Sequence, residues 1–395
     1  MSNENRAGRY VLQPSGYKAF VPTRLNPPPN VDLAPLLSKI SQADREIGRL
    51  DSVLELVPDA ETVVRWYAKK DAILSSQIEG LHTTFADFVQ IEANIEKADS
   101  ASDHSEVRNY LDAIYYGIER KEDLPLSLRL LKEVHEILLK DVRGSEREPG
   151  EFRRTQNWIG SEGCTLSTAI FIPPAVEDMK TALFDLEDFF YADYTLPPLI
   201  RIAFIHAQFE TIHPFLDGNG RVGRLLITFL LVHWRILEKP LLYPSLVMRI
   251  NRDEYYLRLQ SIRDHGDWEN WFSFFLDCII ISAKDAYLRS KMILRIKQDL
   301  EAFVQTNFPR AATTYVKAIQ IFFERIIVDS KILQATLDCS PGTAISILNQ
   351  LEQHDVIRQV GKRQRNRVYY LWEYFEVLDQ EVILPKESQP SLFSQ

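Results

Sequence analysis

The sequence predicts a mainly α-helical protein with one β-hairpin and a C-terminal winged helix-turn-helix domain. Apolar residues recur at helical spacing over most of residues 34–300. The segment 156–174 instead has two short apolar runs on either side of a Gly/Ser turn, which is typical of a hairpin. Residues 312–372 contain helical segments followed by an alternating pattern around a basic turn, which indicates a winged helix.

The domains are predicted in chain order from these patterns. Residues 1–33 contain Pro22 and the run Pro27–Pro29 but few periodic apolar residues, so we expect an extended arm. A helix over 68–79 is expected to end at Gly80, a residue type that suits the position just after a helix. The predicted units are an arm at 1–33, an N-terminal helical region at 34–120, a core with flanking helices at 121–300, a winged helix at 310–375 and a disordered tail at 384–395.

Charge and cysteine content exclude several classes of protein. The formal net charge of −9 argues against a protein that coats nucleic acid over its whole surface. The sequence has no apolar run long enough to span a bilayer, and the polar N-terminus lacks the apolar stretch of a signal peptide. Cys164, Cys278 and Cys339 have no paired spacing. We therefore expect no disulfide framework, no membrane contact and a cytoplasmic location.

The segment His213–Arg224, HPFLDGNGRVGR, is the centre of the predicted chemistry. It lies between two helical segments, so its glycines let backbone N–H groups approach a phosphate at a helix N-terminus. Arg221 and Arg224 lie near that helix start, and guanidinium groups suit phosphate oxygens. Asp217 is placed to bind Mg²⁺ bridging phosphates, and His213 can accept a proton from a hydroxyl near pH 7.

A zinc site is the rival interpretation of this region. His206, Glu210 and His213 follow i, i+4, i+7 spacing on one helical face, which is a metal-ligand spacing. The HExxH pairing of zinc proteases is missing, however. We therefore expect His206 and Glu210 to brace the loop.

At every defined position, residues 213–224 resemble the signature of the Fic (filamentation induced by cAMP) family, HPFx(D/E)GNGRxxR. The resemblance implies a Fic-type helical core in which a hydroxyl on a protein attacks the α-phosphate of Mg²⁺-bound ATP, AMP is transferred and pyrophosphate leaves. The implied roles are a general base (His213), a Mg²⁺ ligand (Asp217), an anion hole (Gly218, Asn219, Gly220), a γ-phosphate contact (Arg224) and a residue that helps to hold the site (Arg221).

Two further features bear on the nucleotide. The Doc-type branch, which resembles Fic but phosphorylates its target, carries a Lys at the position of Gly220, so glycine favours AMP transfer. The segment NRDEYY resembles a family segment beside the nucleotide. Asn251 or Tyr255 is therefore a candidate adenine contact, with buried aromatic packing as the alternative.

Residues 149–174 resemble the family stretch that leads into a flap hairpin. The flap would pair with an extended target segment by strand addition and bring the hydroxyl near His213. Ile170 or Phe171 would pin the target, and Asn157 and Trp158 would support the strand. An ordinary surface hairpin is the alternative.

Residues Ser75–Gly80 match the family's inhibitory pattern, (S/T)xxxE(G/N). Ser75 and Glu79 are four residues apart, so they share a helix face. The resemblance implies an N-terminal inhibitory helix in which Glu79 pairs with Arg224, removes the γ-phosphate partner and misplaces ATP.

Residues 343–351 are the predicted recognition helix of the winged helix. The basic wing could contact DNA phosphates through Arg358, Lys362, Arg363, Arg365 and Arg367. Because the outward face of the helix has no Lys or Arg, docking to a protein or to a second copy of the chain in a homodimer is the alternative.

The expected function is an autoinhibited protein adenylyltransferase that modifies Ser, Thr or Tyr hydroxyls of proteins, including its own. Two alternatives stay open. The same site could remove AMP, with Glu79 positioning water, or the chain could be a DNA-binding regulator whose Fic core senses nucleotide.

Overall fold

The computed structural model describes residues 5–54, 60–92, 101–120, 125–161, 163–192, 194–361 and 367–382. The predicted tail at 384–395 and the wing residues Lys362, Arg363 and Arg365 lie outside these ranges. The mainly helical prediction is confirmed. The helices are α1 Leu37–Leu54, α2 Ala60–Ile78, α3 Phe85–Glu92, α4 Ala101–Glu119, α5 Leu128–Leu138, α6 Val176–Tyr191, α7 Pro198–Ile212, α8 Asn219–His233, α9 Ser245–Ile250, α10 Arg252–His265, α11 Trp268–Asn307, α12 Ala312–Arg325, α13 Ser330–Leu337, α14 Pro341–Gln353 and α15 Trp372–Asp379.

The N-terminal residues form a hairpin, which corrects the prediction of an extended arm. Strand β1 (Gly8–Leu12) pairs antiparallel with β2 (Lys18–Pro22). In β2, Phe20 is fully buried, and its N–H donates to the carbonyl of Ile172 at 2.9 Å. The segment is ordered by burial against the rest of the fold, and the proline content that suggested an arm carries no information about that contact.

Helix α2 is longer than predicted, because it begins at Ala60 and not near residue 68. It ends at Ile78, and Gly80 follows with a φ of 95°, the positive value that favours glycine after a helix. The predicted stop at Gly80 therefore agrees with the structure, and it leaves Glu79 in the turn immediately beyond the helix.

The centre of the molecule is built around α7 and α8. Almost every side chain of both helices is buried, which explains why neither shows a polar face. Helix α7 starts at Pro198, where a missing N–H costs nothing. The 40-residue helix α11 packs alongside, and Trp271 donates to the carbonyl of Ala203 at 2.9 Å.

The C-terminal region contains α12, α13 and α14 and a sheet with strand order β3-β5-β4, formed by β3 (Ile327–Asp329), β4 (Arg358–Gln359) and β5 (Val368–Tyr370). This is the element order expected of a winged helix. Ser340 caps α14 through a hydrogen bond from the Thr343 N–H at 3.1 Å. The side chains of α14 that are buried in the core are Ala344, Ile347, Leu348 and Leu351.

The C-terminal region packs directly on α2. Trp66 donates its indole N–H to the carbonyl of Phe323 at 3.1 Å. Lys70 donates to the carbonyls of Leu378 and Gln380 at 3.2 and 2.6 Å. Among the described helices, none combines the length and hydropathy needed to cross a bilayer.

Candidate active site

The loop between α7 and α8 joins a helix C-terminus to a helix N-terminus. His213 caps α7 with a φ of 49°, and Gly218 precedes α8 with a φ of 75°. The first intrahelical bond of α8 runs from the Val222 N–H to the Gly218 carbonyl at 3.0 Å, and no side chain caps the helix. The N–H groups of the first turn, including that of Gly220, are therefore directed at the site and favour an anion there.

The side chain of Asn219 holds the loop. Its Oδ1 accepts from the Phe215 N–H and its Nδ2 donates to the Phe215 carbonyl, both at 2.8 Å. Asn219 was predicted to donate its side-chain amide to an anion. In the structure that amide clamps the loop, because a buried amide is satisfied first by the backbone around it.

His213 is held as a neutral imidazole. Burial, together with the positive charges of Arg263 and Arg153, lowers the pKa of His213 to about 3. Its Nδ1 lies 3.4 Å from the carbonyl of Glu210. Because a carbonyl only accepts, this contact favours hydrogen on Nδ1 and leaves Nε2 free to take a proton.

Arg153 and Asn157 fix the backbone of His213. Arg153 Nε and Asn157 Nδ2 donate to the His213 carbonyl at 3.1 and 3.0 Å, and Asn157 also donates to Phe215. Asn157 was predicted to support the flap strand, and it does so by tying that segment to the catalytic loop. Arg153 was not predicted from the sequence.

Arg224 is buried against the turn after α2. Its Nη2 donates to Glu79 Oε1 at 2.6 Å and to the Ser75 carbonyl at 3.0 Å, and its Nε donates to Ser75 Oγ at 2.8 Å. Its Nη1 is buried and has no hydrogen-bond partner among the described residues. A Cβ built on Gly220 would lie 2.3 Å from Glu79 Oε1 and 3.0 Å from that Nη1. The backbone of Gly218, Asn219 and Gly220 at the start of α8 forms the candidate anion site, called the cradle below. The Glu79 carboxylate therefore lies in this cradle.

The charges at this pair are mutually stabilised. Burial alone would raise the pKa of Glu79, but the charge of Arg224 and its hydrogen bond hold the pKa below the usual value. Burial alone would lower the pKa of Arg224, and the charge of Glu79 raises it instead. Both groups are ionised at neutral pH, so the contact is a charge-assisted hydrogen bond.

Arg221 does not point at the anion cradle. Its Nη1 donates to Glu106 Oε2 at 2.7 Å, and both side chains are almost fully buried. Its Nη2 lies 3.5 Å from Asp217 Oδ1. Arg221 therefore holds the site together, as the family resemblance implied, and its partner Glu106 was not predicted.

Asp217 fits the role of a Mg²⁺ ligand. Its Oδ1 accepts from the Gly218 N–H at 2.5 Å, whereas no hydrogen bond from the described residues reaches Oδ2. The described residues contain no cluster of three or more acidic, His or Cys side chains that could hold a metal. One partly exposed carboxylate suits Mg²⁺ that takes its remaining ligands from nucleotide phosphates and water.

The zinc alternative is excluded by the hydrogen bonds of His206. Its Nδ1 bonds to the Gly223 carbonyl and its Nε2 to the Tyr255 hydroxyl, both at 2.9 Å, so neither nitrogen has a lone pair for a metal. Glu210 lies against Gly223, where an added Cβ would meet its Oε1 at 2.3 Å. His206 therefore braces α7 against α8, as expected, whereas the Oε1 of Glu210 is buried without a hydrogen-bond partner among the described residues.

His135 is a further brace that the sequence did not indicate. It accepts from the Gly150 N–H at 2.9 Å through Nδ1, and its Nε2 bonds to the Asp217 carbonyl at 3.0 Å. Its ring stacks on Phe215 with centroids 3.8 Å apart. It therefore fixes the backbone at Asp217 from the side of α5.

The flap is shorter than the predicted two-stranded hairpin. It is a single bridge in which Ile159 and Phe171 exchange hydrogen bonds of 2.8 and 3.1 Å. Ile170 is two-thirds exposed, whereas Phe171 is buried in the core, which removes Phe171 as a residue that pins a target. Alternation along the strand turns one of the two inward. Trp158 is partly exposed and donates to the Cys164 carbonyl at 3.0 Å.

Of the two predicted adenine contacts, Asn251 and Tyr255, only Asn251 has a side chain that is not fully buried. Tyr255 is fully buried and bonds to His206, so the alternative of aromatic packing is correct. Asn251 is partly buried and donates to the Val247 carbonyl at 3.1 Å. The neighbouring Tyr256 is exposed to solvent.

Comparisons with known proteins agree with this geometry. Residues 37–119 match the Fic/DOC family N-terminal model and residues 125–231 match the Fic/DOC family model. The chain is 29% identical to Protein adenylyltransferase Fic of Drosophila willistoni over 248 residues, 60% of this chain and 46% of that protein. It is 31% identical to Protein adenylyltransferase Fic of Culex quinquefasciatus over 184 residues, 45% of this chain and 33% of that protein. The chain thus spans half or less of the length of these curated relatives.

A solved structure shares the fold. The crystal structure of a Fic family protein from Desulfovibrio desulfuricans G20 matches with a TM-score of 0.57 and 21% identity, over 87% of this chain and 98% of that chain. The two matched domains, the shared fold and the loop between α7 and α8 lead to one conclusion. Residues 37–119 and 125–231 of the chain are the N-terminal and main domains of the Fic/DOC family.

Proposed function

We propose that the protein is an adenylyltransferase that moves AMP from Mg²⁺-bound ATP to a Ser, Thr or Tyr hydroxyl of a protein, itself included. The observation that carries the proposal is the juxtaposition of His213, uncapped N–H groups at the start of α8 and the buried Nη1 of Arg224. Such a site binds a polyphosphate and has a base beside it. The names of the curated relatives support AMP transfer as the reaction.

The proposed step is a displacement at the α-phosphorus. The target oxygen forms a bond to that phosphorus as His213 Nε2 takes the hydroxyl proton. The bond from the α-phosphorus to the bridging oxygen breaks, and pyrophosphate leaves with the electron pair. The N–H groups at Gly220 and its neighbours stabilise the charge on the phosphate oxygens. Mg²⁺ held by Asp217 would neutralise phosphate charge.

The contact between Glu79 and Arg224 is proposed to inhibit this reaction. Arg224 is the candidate γ-phosphate partner, and its Nη2 donates to Glu79 at 2.6 Å. The carboxylate also fills the space above Gly220 that a phosphate would need. The Glu79 carboxylate and a phosphate of ATP would repel each other in the cradle, so ATP must displace Glu79 or bind in a different position.

Removal of AMP is a second candidate for the same site, favoured by one observation. Glu79 carries a partly exposed carboxylate in the cradle, where it could orient a water molecule toward an AMP ester. The DNA-binding alternative has less support, because Arg358 bonds to Asp355 at 3.0 Å and Arg367 lies 3.5 Å from Glu352. These two wing cations are thereby neutralised within the chain.

The position of the label on ATP tests the proposed function. The wild-type protein and Glu79→Gly are each incubated with Mg²⁺, cell lysate and ATP labelled at either the α- or the γ-phosphate. We expect only the α-label to become bound to protein, and mass spectrometry to locate AMP on a hydroxyl side chain. Transfer of the γ-label would indicate phosphorylation, and no bound label in either variant would overturn the proposal.

A further inference from the structure

Arg263, in the last turn of α10, donates hydrogen bonds to the C-terminal end of α7, the helix that is followed by His213. Its Nη2 donates to the Glu210 carbonyl at 3.1 Å, and its Nε donates to Thr211 Oγ1 at 3.3 Å. Both contacts lie in the last turn of α7, immediately before His213. Arg263 is 5% exposed. Its hydrogen bonds therefore fix the position from which the loop starts.

The same guanidinium supports the flap. Its Cζ lies 4.0 Å from the centre of the Phe171 ring, within the range of a cation–π contact. On the flap side, Phe171 exchanges backbone hydrogen bonds with Ile159. Arg263 thus contacts both α7 and the flap, although both are distant from it in sequence.

The N-terminal hairpin also supports Phe171. The ring of Phe20 packs on Phe171 with centroids 5.8 Å apart, and the Phe20 N–H donates to the Ile172 carbonyl at 2.9 Å. Phe171 therefore contacts both α10 and β2. A side chain held by several elements loses little further freedom when the flap binds an extended segment.

Arg263 forms no salt bridge with the residues that the structure describes. Among the described residues, its hydrogen-bond acceptors are the Glu210 carbonyl, Thr211 and Gln260, all of them neutral. Burial lowers the pKa of Arg263 to about 10. A buried cation with neutral partners costs folding free energy, so a simple contribution to stability does not account for it.

We propose that Arg263 is a positioning residue that fixes the flap relative to His213, so that a target segment paired with the flap presents its hydroxyl to the imidazole. The proposal rests on the proposed function for its consequence in catalysis. The structural part of the proposal is independent of that function, because Arg263 and Phe171 set the distance between the flap and the end of α7 whether or not AMP is transferred.

Hydrogen exchange of the full-length protein, resolved by mass spectrometry, tests the structural content without a target. In Arg263→Met, we expect amides of the flap at Ile159, Ile170 and Phe171 to exchange about tenfold faster, since the cation–π contact and two hydrogen bonds are lost. Amides of α8 should keep their wild-type exchange rates. Arg258→Met, on the same helix but part of a half-buried pair with Glu254 that contacts neither α7 nor the flap among the hydrogen bonds of the described residues, is the matched control.

Two further variants keep the test decisive. Arg263→Lys retains the buried charge and should recover part of the flap protection, and Phe20→Leu should accelerate the flap amides from the opposite side if Arg263→Met does not fold. Unchanged flap exchange in both Arg263→Met and Phe20→Leu, or equal acceleration in the flap and α8, would overturn the positioning role.

Activity separates this inference from the proposed function. In the Glu79→Gly background, Arg263→Met should slow AMP transfer by about tenfold while binding of a non-hydrolysable ATP analogue stays within about twofold. Absence of any AMP transfer in Glu79→Gly itself would count against the proposed function and leave the exchange result intact. A transfer rate unaffected by Arg263→Met would overturn the inference alone.

Discussion

The carboxylate of Glu79 lies against the backbone of Gly220, so close that a Cβ on Gly220 would come within 2.3 Å of its Oε1. The same oxygen accepts a hydrogen bond from Arg224 at 2.6 Å. One acidic side chain thus fills the cradle at the start of α8 and engages the arginine beside it. A phosphate would need both of these positions.

Removal of the Glu79 carboxylate should activate AMP transfer. A hydrogen bond between charged groups contributes about 1.5–3 kcal/mol, which corresponds to roughly a 10- to 100-fold rise in the rate of self-labelling in Glu79→Gly. Glu79→Gln, which keeps the shape and loses the charge, should give an intermediate rate. Equal labelling of wild type and Glu79→Gly would contradict the inhibitory role.

A methyl group at Gly220 should have opposite effects with and without Glu79. In the wild type, Gly220→Ala forces the carboxylate off Arg224 and should lower the free energy of unfolding by about 1–2 kcal/mol. In Glu79→Gly the clash with the carboxylate is absent and the 3.0 Å approach to Arg224 Nη1 remains, so alanine should be close to neutral, with helix propensity contributing up to about 0.5 kcal/mol in its favour. Chemical denaturation of the wild type, Gly220→Ala, Glu79→Gly and the double variant measures the coupling between the two substitutions. Additive effects on the free energy of unfolding would refute the close contact between Glu79 and Gly220.

The buried pair of Arg221 and Glu106 should be a strong stability determinant. Arg221→Met leaves the Glu106 carboxylate buried without its main partner, which should cost about 3–5 kcal/mol in the free energy of unfolding. The double variant Arg221→Met/Glu106→Leu removes the stranded charge and should recover most of that loss. If the double variant lost as much free energy of unfolding as the two single variants together, the interaction between Arg221 and Glu106 would not be the source of the stability.

Glu210 should make stability depend on pH. Burial raises the pKa of Glu210 to about 7, so between pH 4.5 and 7 the folded state holds a proton that the unfolded state releases. The wild type therefore loses stability as pH rises through 7, whereas Glu210→Gln does not. The free energy of unfolding of Glu210→Gln relative to wild type should rise by about 3 kcal/mol from pH 4 to pH 8.5.

An exposed carboxylate provides the control for this pH effect. Glu177 lies in the first turn of α6 with its side chain 84% exposed. The stability of Glu177→Gln relative to wild type is measured over the same pH range as the reference for an exposed carboxylate. If the stability of Glu210→Gln relative to wild type did not rise beyond that reference, the carboxyl of Glu210 would not be protonated in the folded protein near neutral pH.

The sequence predicted the parts of the site that are local in the chain. His213, Gly218 and Arg224 follow from one loop and one helix start. The i, i+4 spacing of Ser75 and Glu79 predicted a shared helix face, and the structure places Ser75 on α2 and Glu79 in the turn just beyond it. These features depend on backbone geometry over a few residues. The pairing of Arg224 with Glu79 was an implication of the family resemblance, whereas the contact of Arg224 with Ser75 comes from the structure.

The supporting residues could not be predicted because their partners are distant in sequence. Glu106 meets Arg221 across 115 positions, and Arg153 meets His213 across 60. Strand alternation shows that Ile170 and Phe171 point to opposite sides, but it does not say which side is the core. That choice depends on Arg263 and Phe20, which pack against Phe171 from other elements.

The role of His213 is the central claim, and paired measurements on Glu79→Gly and Glu79→Gly/His213→Ala test it most directly. Both proteins are assayed for binding of a non-hydrolysable ATP analogue and for transfer of α-labelled AMP to protein. We predict analogue affinities within about twofold of each other and a fall in the transfer rate of about 10²–10⁴-fold in the double variant. Transfer that continues at the Glu79→Gly rate without the imidazole would contradict the account.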